Sequence, residues 1–175
     1  LLLSARSKKH GATIFGYHVP DPERFGVVEF NEDYRVISIE EKPENPRSNF
    51  AITGLYFYDN DIINIATEIK PSKRGELEIT DINNIYHKEK KLHVEVLGRG
   101  YAWFDMGTNN SLLEASQFVS TIQSKQGLFI ACLEEIALSK GWIDDEALKN
   151  HIIEMGNNSY STYLKKICQK SMNYD

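Results

Sequence analysis

The spacing of the apolar residues changes near position 108, and that change limits what the chain can fold into. Before it, short runs of β-branched and aromatic residues alternate with helical patterns, as in an α/β layer. "GATIFGYHV" (11–19), "GVVEF" (26–30), "YRVISIEE" (34–41), "ITGLYFY" (52–58) and "LHVEVL" (92–97) read as strands. "NED" between the second and third has the Asn and Asp of a tight turn. Asp59 or Asn60 is placed to cap a helix with an inward stripe of Ile62, Ile63, Ala66 and Ile69. "ELEITDINNIYHKE" reads as a second helix, with Ile79, Ile82, Ile85 and Tyr86 on one face.

From 108 onward the pattern is helical throughout. Thr108 or Asn109 caps a helix that turns Leu112, Leu113, Ala115, Phe118, Val119 and Ile122 inward and stops at Gly127. A short helix near 133–140 stops at Gly141, and one capped by Asp144 ends at Gly156. Ser159 is placed to cap the last, with Tyr163, Leu164 and Ile167 inward. Glycine accepts the left-handed conformation that closes helices. The division predicted is 1–107, α/β, and 108–175, helical. "LLLSARSKK" at the start reads as the end of a helix that begins upstream, so the chain is expected to be the later part of a longer protein.

The net charge of −5 argues against a broad grip on nucleic acid. Cys132 and Cys168 stand far apart with no C-x-x-C partner, which argues against a structural zinc site or a disulfide scaffold and favours a reducing compartment. His10, His18, His87, His93 and His151 lack metal-ligand spacing, and no apolar run approaches a membrane span.

Four stretches can carry chemistry. In "EEKP", Pro43 pushes Lys42 away from the helical region, so Lys42 is expected extended at a strand's end. There its ammonium can grip an anion while Glu41 orients it or accepts hydroxyls; a solvated charge cluster is the bland alternative. In "GRGYAWFDMGT", Asp105 lies between Phe104 and Met106 and is expected to need a cation, magnesium being the natural one in a phosphate site. "RGELEIT" gathers Arg74, Glu76 and Thr80 at a helix start, and "DPERFG" offers Gly26 for close approach. A Schiff-base role for Lys42 is disfavoured, because adjacent carboxylates oppose a lowered lysine pKa.

"YHVPDPERFGVVEF", "ISIEEKPENPRSNFAITGLYFYD", "KPSKRGELEITDIN" and "GRGYAWFDMGT", in that order, closely resemble the glucose-1-phosphate thymidylyltransferases, nucleotidyltransferases of bacterial deoxysugar synthesis. The similarity runs from about Gly11 to Leu164. It implies a Rossmann-like α/β nucleotidyltransferase domain with a mixed sheet, followed by a helical segment for oligomerisation and regulation. It implies joining of deoxythymidine triphosphate (dTTP) to glucose 1-phosphate, with pyrophosphate released and Mg2+ required. Gly26, Glu41 and Lys42 would hold the sugar phosphate, and Ile52 and Tyr56 would line the sugar pocket. Arg74, Glu76 and Thr80 would shape its far wall. Trp103 would pack beside the reacting groups, and Asp105 would bind magnesium, with Lys42 and Asp105 the catalytic pair.

A cytoplasmic homotetramer without nucleic-acid or membrane partners is implied too. Phe25 stands where a tyrosine is expected and Met106 where a threonine is. The family's Gly-rich nucleotide loop and second magnesium aspartate lie upstream of the matched part, so this stretch alone is expected to be inactive. The alternatives are a non-catalytic sugar-phosphate or assembly module, or a nucleotidyltransferase for another base or sugar.

Overall fold

A computed structural model describes residues 1–171; the last four residues of the segment assigned to the helical part lie outside the described residues. The chain forms two compact units, Leu1–Trp103 and the part from Phe104 onward. In the first, helix α1 (Leu2–Ser7) precedes β1 (Ala12–His18), a 3-10 turn (Pro22–Arg24), β2 (Gly26–Phe30), β3 (Val36–Glu41) and β4 (Phe50–Tyr58). Helices α2 (Ile62–Glu68) and α3 (Ile79–Lys88) and strand β5 (Leu92–Leu97) follow. The sheet order is β3-β2-β4-β1-β5. It is mixed: β1 runs parallel to β5 and antiparallel to β4, and β2 is antiparallel to β3 and β4.

Alternation along these strands sends one set of side chains towards α3. Ile14, Val28, Ile39, Ile52 and Val94 close over Ile82 and Tyr86 to make the core. Helix α2 adds Ile62, Ile65 and Ile69 rather than the expected stripe; Ile63 is 67% exposed and Ala66 is exposed. Positions 62, 65 and 69 follow the helical period, whereas 63 and 66 are rotated off that face. The expected cap is also shifted. Asp61 is the N-cap residue, and Asp59 instead accepts from the backbone N–H of Gly11 (2.5 Å) and of Asp61 (3.1 Å) and from the Tyr86 hydroxyl (2.7 Å). Asp59 thus ties the start of β1 to α2 and α3.

Helix α3 differs most from its reading. Thr80, Ile82, Asn83 and Tyr86 are buried, while Ile79 is 38% exposed and Ile85 half-buried. Two polar residues occupy the inward face because each meets a polar partner on the sheet: Thr80 donates to Glu41, and Asn83 accepts from the Tyr58 hydroxyl (2.6 Å).

The second unit holds α4 (Asn109–Gln126), α5 (Leu133–Ser139), α6 (Asp145–Met155) and α7 (Ser159–Ser171). Thr108 and Ser111 form a reciprocal capping box, and Asp144 accepts from the N–H of Ala147 (2.8 Å). Ser159 is not a cap: Asn158 fills that place, its side chain accepting from the N–H of Ser161 (2.8 Å). Leu148, Ile152, Tyr163, Leu164, Cys132 and Cys168 form a separate core, and neither cysteine is in a disulfide. Helix α4 buries only Ala115; Leu112, Leu113, Phe118 and Val119 stay exposed, against the inward stripe expected. The period marks an apolar face, and the Phe104 ring packs against its Phe118 (5.1 Å between centroids). No helix among the described residues is long and apolar enough to cross a membrane.

Candidate active site

The β2–β3 hairpin ladder pairs Gly26 with Glu41 and continues one step further, with the Lys42 N–H donating to the Phe25 carbonyl (3.0 Å). This end of the hairpin meets the start of α3. Glu41 Oε2 accepts from Thr80 Oγ1 (2.5 Å), and Glu41 Oε1 lies 3.7 Å from Arg74 Nη1. Thr80 is 3% exposed and the Glu41 side chain 23% exposed, so one carboxylate oxygen is fixed by a buried donor while the group still reaches solvent.

Gly26 sits against this carboxylate. A Cβ there would lie 3.2 Å from Glu41 Oε2, 3.2 Å from Thr80 Oγ1 and 3.7 Å from Ile52 Cδ1. The first two distances are tighter than ordinary contact, so glycine lets the carboxylate lie over the strand backbone. Tyr56 borders the same group. Burial raises the pKa of its phenol and the charge of Glu41 adds to that. The Tyr56 ring stacks on Tyr58 (5.8 Å between centroids, 19° between planes).

Arg74 is held from several sides. Its guanidinium lies 2.7 Å from Glu76 Oε2 and 3.5 Å from Glu78 Oε1, and Ser72 Oγ donates to Glu78 Oε1 (2.9 Å). Glu78, 9% exposed, and Ser72 escape sequence reasoning, although Glu78 directly precedes the first residue of α3. Three carboxylates around one guanidinium leave the cluster acidic, which suits hydroxyl donors better than a free anion.

Lys42 departs from its expectation. Its φ is 43°, left-handed rather than extended. The ladder bond to Phe25 holds its N–H while the chain turns into Pro43. Its side chain is exposed and makes no ion pair among the described residues, so Glu41 orients Thr80 and Arg74 contacts and not this ammonium. Trp103 packs on the Phe25 ring (5.3 Å) and on Tyr17 (5.9 Å), which places it behind the residue that anchors Lys42.

Gly26, Glu41, Ile52, Tyr56, Arg74 and Thr80 therefore converge, with Glu76 joined through Arg74, and Trp103 and the Lys42 backbone through Phe25. Asp105 belongs to the second unit. It is half-buried, and Met106 is 62% exposed, so the apolar enclosure expected around Asp105 is open on that side. A Cβ on Gly107 would lie 3.3 Å from Asp105 Oδ2, so any side chain at that position would crowd the carboxylate. Among the described residues no cluster of three or more His, Cys, Asp or Glu is arranged to hold a metal.

The chain is similar to glucose-1-phosphate thymidylyltransferases of Neisseria meningitidis serogroup A (54% identity over 97% of this chain and 59% of the relative) and Xanthomonas campestris pv. campestris (53%, over 97% and 57%). That of Mycobacterium tuberculosis is 47% identical over 92% of this chain and 56% of its own. The chain thus spans less than three-fifths of the length of these relatives. Among solved structures, a Bacillus anthracis protein described as a glucose-1-phosphate thymidylyltransferase, in complex with sucrose, superposes with a TM-score of 0.60 at 43% identity, covering 67% of this chain and 46% of that one. A UDP-glucose pyrophosphorylase complexed with UDP-glucose also gives 0.60, at 27% identity, over 69% of this chain and 48% of that one. The family model for nucleotidyl transferases matches residues 1–122, and the chain belongs to that family.

Proposed function

We propose that this chain supplies the sugar-phosphate half of a glucose-1-phosphate thymidylyltransferase, which transfers deoxythymidylate from dTTP to glucose 1-phosphate and releases pyrophosphate. The observation that carries this reading is the Glu41 carboxylate, held by Thr80 and Arg74 over a bare Gly26, with an ammonium on the next residue that makes no ion pair among the described residues. The names of the relatives support it.

In this reading Glu41 accepts sugar hydroxyls, Ile52 and Tyr56 face the ring, and Arg74, Glu76 and Thr80 hold the far wall. Lys42 takes the sugar's phosphate as a point charge and aims its oxygen at the α-phosphorus for in-line attack. Trp103 keeps the Phe25 end of the hairpin in place.

Asp105 would hold Mg2+. The donor chemistry fits, because Mg2+ needs only one or two carboxylates plus substrate phosphates, and Gly107 sets no side chain against Asp105. When bound, the ion would neutralise charge on the phosphates. The product fits dTDP-rhamnose-type synthesis in the cytoplasm, in keeping with two cysteines outside any disulfide. The exposed apolar face of α4 supports a homotetramer built through the helical unit.

The test is pyrophosphate release by the protein that carries this chain, with dTTP, glucose 1-phosphate and Mg2+. Wild type should turn over, and Asp105→Asn should lose at least about two orders of magnitude while keeping its melting temperature. Binding of glucose 1-phosphate without any turnover would leave a non-catalytic binding module instead. Near-normal turnover by Asp105→Asn would remove Asp105 from the metal site.

A further inference from the structure

The pairing of β1 with β4 is broken in the middle. Ile14 faces Tyr56 and Gly16 faces Ile52, so two steps along β1 span four along β4, and β4 bulges between Ile52 and Tyr56. Bulges of this kind re-aim side chains and gather next to active sites. Both ends of this one border Glu41. Ile52 reaches the same space over Gly26 that Glu41 and Thr80 reach, and Tyr56 is close enough for the Glu41 charge to raise its pKa. Strand β2 pairs with β4 only at Val27 and Ala51, so β4 runs on past the start of β2 without that partner.

Within the bulge Thr53 is buried, whereas Gly54 and Leu55 are exposed. A Cβ built on Gly54 meets no atom within 4 Å, and the residue is not left-handed. Neither backbone conformation nor packing requires glycine there. A strand glycine recurrently marks a bulge, a tight bend or a place where a ligand comes close, and an exposed residue between Ile52 and Tyr56 whose Cβ position is open fits the last.

We infer that Gly54 is the floor on which the sugar ring lies, and that it determines which sugar phosphates the site admits. The inference rests on the reading of this site as a sugar-phosphate site. A pyranose has a polar rim and C–H faces. Glu41 serves the rim, the Ile52 alkyl chain and the Tyr56 ring flank a face, and the peptide at Gly54 lets that face come down between them. A methyl at Gly54 would occupy the volume the ring needs, while touching nothing in the empty site.

Gly54→Ala and Gly54→Val test this in the protein that carries the chain. Glucose 1-phosphate and dTTP are titrated separately by calorimetry, and melting temperatures are recorded. The expected result is a melting temperature at or above wild type, dTTP affinity within about twofold, and glucose 1-phosphate affinity lowered at least about tenfold by alanine and further by valine. Unchanged glucose 1-phosphate affinity in both variants, with wild type binding normally, overturns the inference alone. Loss of both ligands together with a lowered melting temperature also overturns it, since the glycine then serves the bulge itself. Wild type that binds dTTP but no glucose 1-phosphate overturns the reading of the site, and this inference with it.

Discussion

Lys42→Gly and Lys42→Ala separate two effects that meet at one residue. Lys42 holds a φ of 43°, a region that costs an L-residue about 1–2 kcal/mol. Glycine escapes that cost but loses about 0.5–1 kcal/mol more backbone entropy on folding. The difference should leave Lys42→Gly about 0.5–1 kcal/mol more stable. At about 2–4 °C per kcal/mol for a chain of this size, its melting temperature should rise by about 1–4 °C. The side chain is exposed and unpaired among the described residues, so its removal breaks no internal contact. Lys42→Ala keeps a Cβ in the same backbone and should melt with wild type. Both variants should lose glucose 1-phosphate alike, because one charge-assisted contact to a phosphate is worth about 2–3 kcal/mol, or about two orders of magnitude in affinity. Lys42→Arg should restore little, since a planar fork does not replace a compact ammonium. Thermal melts and calorimetric titrations with glucose 1-phosphate and dTTP read both effects. Intact sugar-phosphate binding in Lys42→Ala would return "EEKP" to a solvated strand end. A lowered melting temperature in Lys42→Gly would show that the left-handed turn carries no strain for glycine to relieve.

Two further outcomes are expected. Thr80→Val removes the buried donor to Glu41 Oε2 and keeps the shape, so it should cost about 1–3 kcal/mol of stability and raise the KM for glucose 1-phosphate more than that for dTTP; unchanged values for both would show that Glu41 needs no pin. At Asp59, burial favours the neutral acid, but hydrogen bonds from Gly11, Tyr86 and Asp61 and the charge of Lys91 outweigh it and hold the pKa below the ordinary 3.8. A lowered folded pKa stabilises above the unfolded value and is lost as pH falls through 3.8 towards the folded one, so an acid-melting series should lose stability there, and Asp59→Asn should flatten that segment. An identical slope in the variant would refute the assignment.

What could be read from the sequence depended on whether apolar spacing alone decided the matter. The strands of the hairpin and β4 were legible because β-branched and aromatic residues crowd them and turn residues bound them. The resemblance located Gly26, Glu41, Ile52, Tyr56, Arg74 and Thr80, which the fold brings together. Periodicity misplaced residues wherever polar groups took core positions. Ile79 reads as core but is 38% exposed, whereas Asn83, outside the apolar stripe, is fully buried and accepts from Tyr58. Glu78 was invisible because its partners, Ser72 and Arg74, come from a loop whose path no period describes. At Lys42 the rule for residues before proline was overridden by the ladder bond to Phe25. On α4 the period gave the apolar face correctly but could not say what covers it.

The polar rungs of α3 explain how a helix can present one hydroxyl to one carboxylate. Thr80, Asn83 and Tyr86 recur every three residues on its inner face and meet Glu41, Tyr58 and Asp59 in turn. Apolar contacts are non-directional, so Ile82 packed on the sheet would tolerate a small rotation or slide. Hydrogen bonds to three fixed partners would not. The arrangement has a cost, since the buried Asn83 amide nitrogen has no partner among the described residues, at about 1–3 kcal/mol for such a group. A one-residue slip of α3 shows what the cost secures. It would set either Ile79, which cannot donate, or Asp81, which would repel, against the Glu41 carboxylate. The helix is therefore registered by polar geometry, and Glu41 is fixed in place because its donor is.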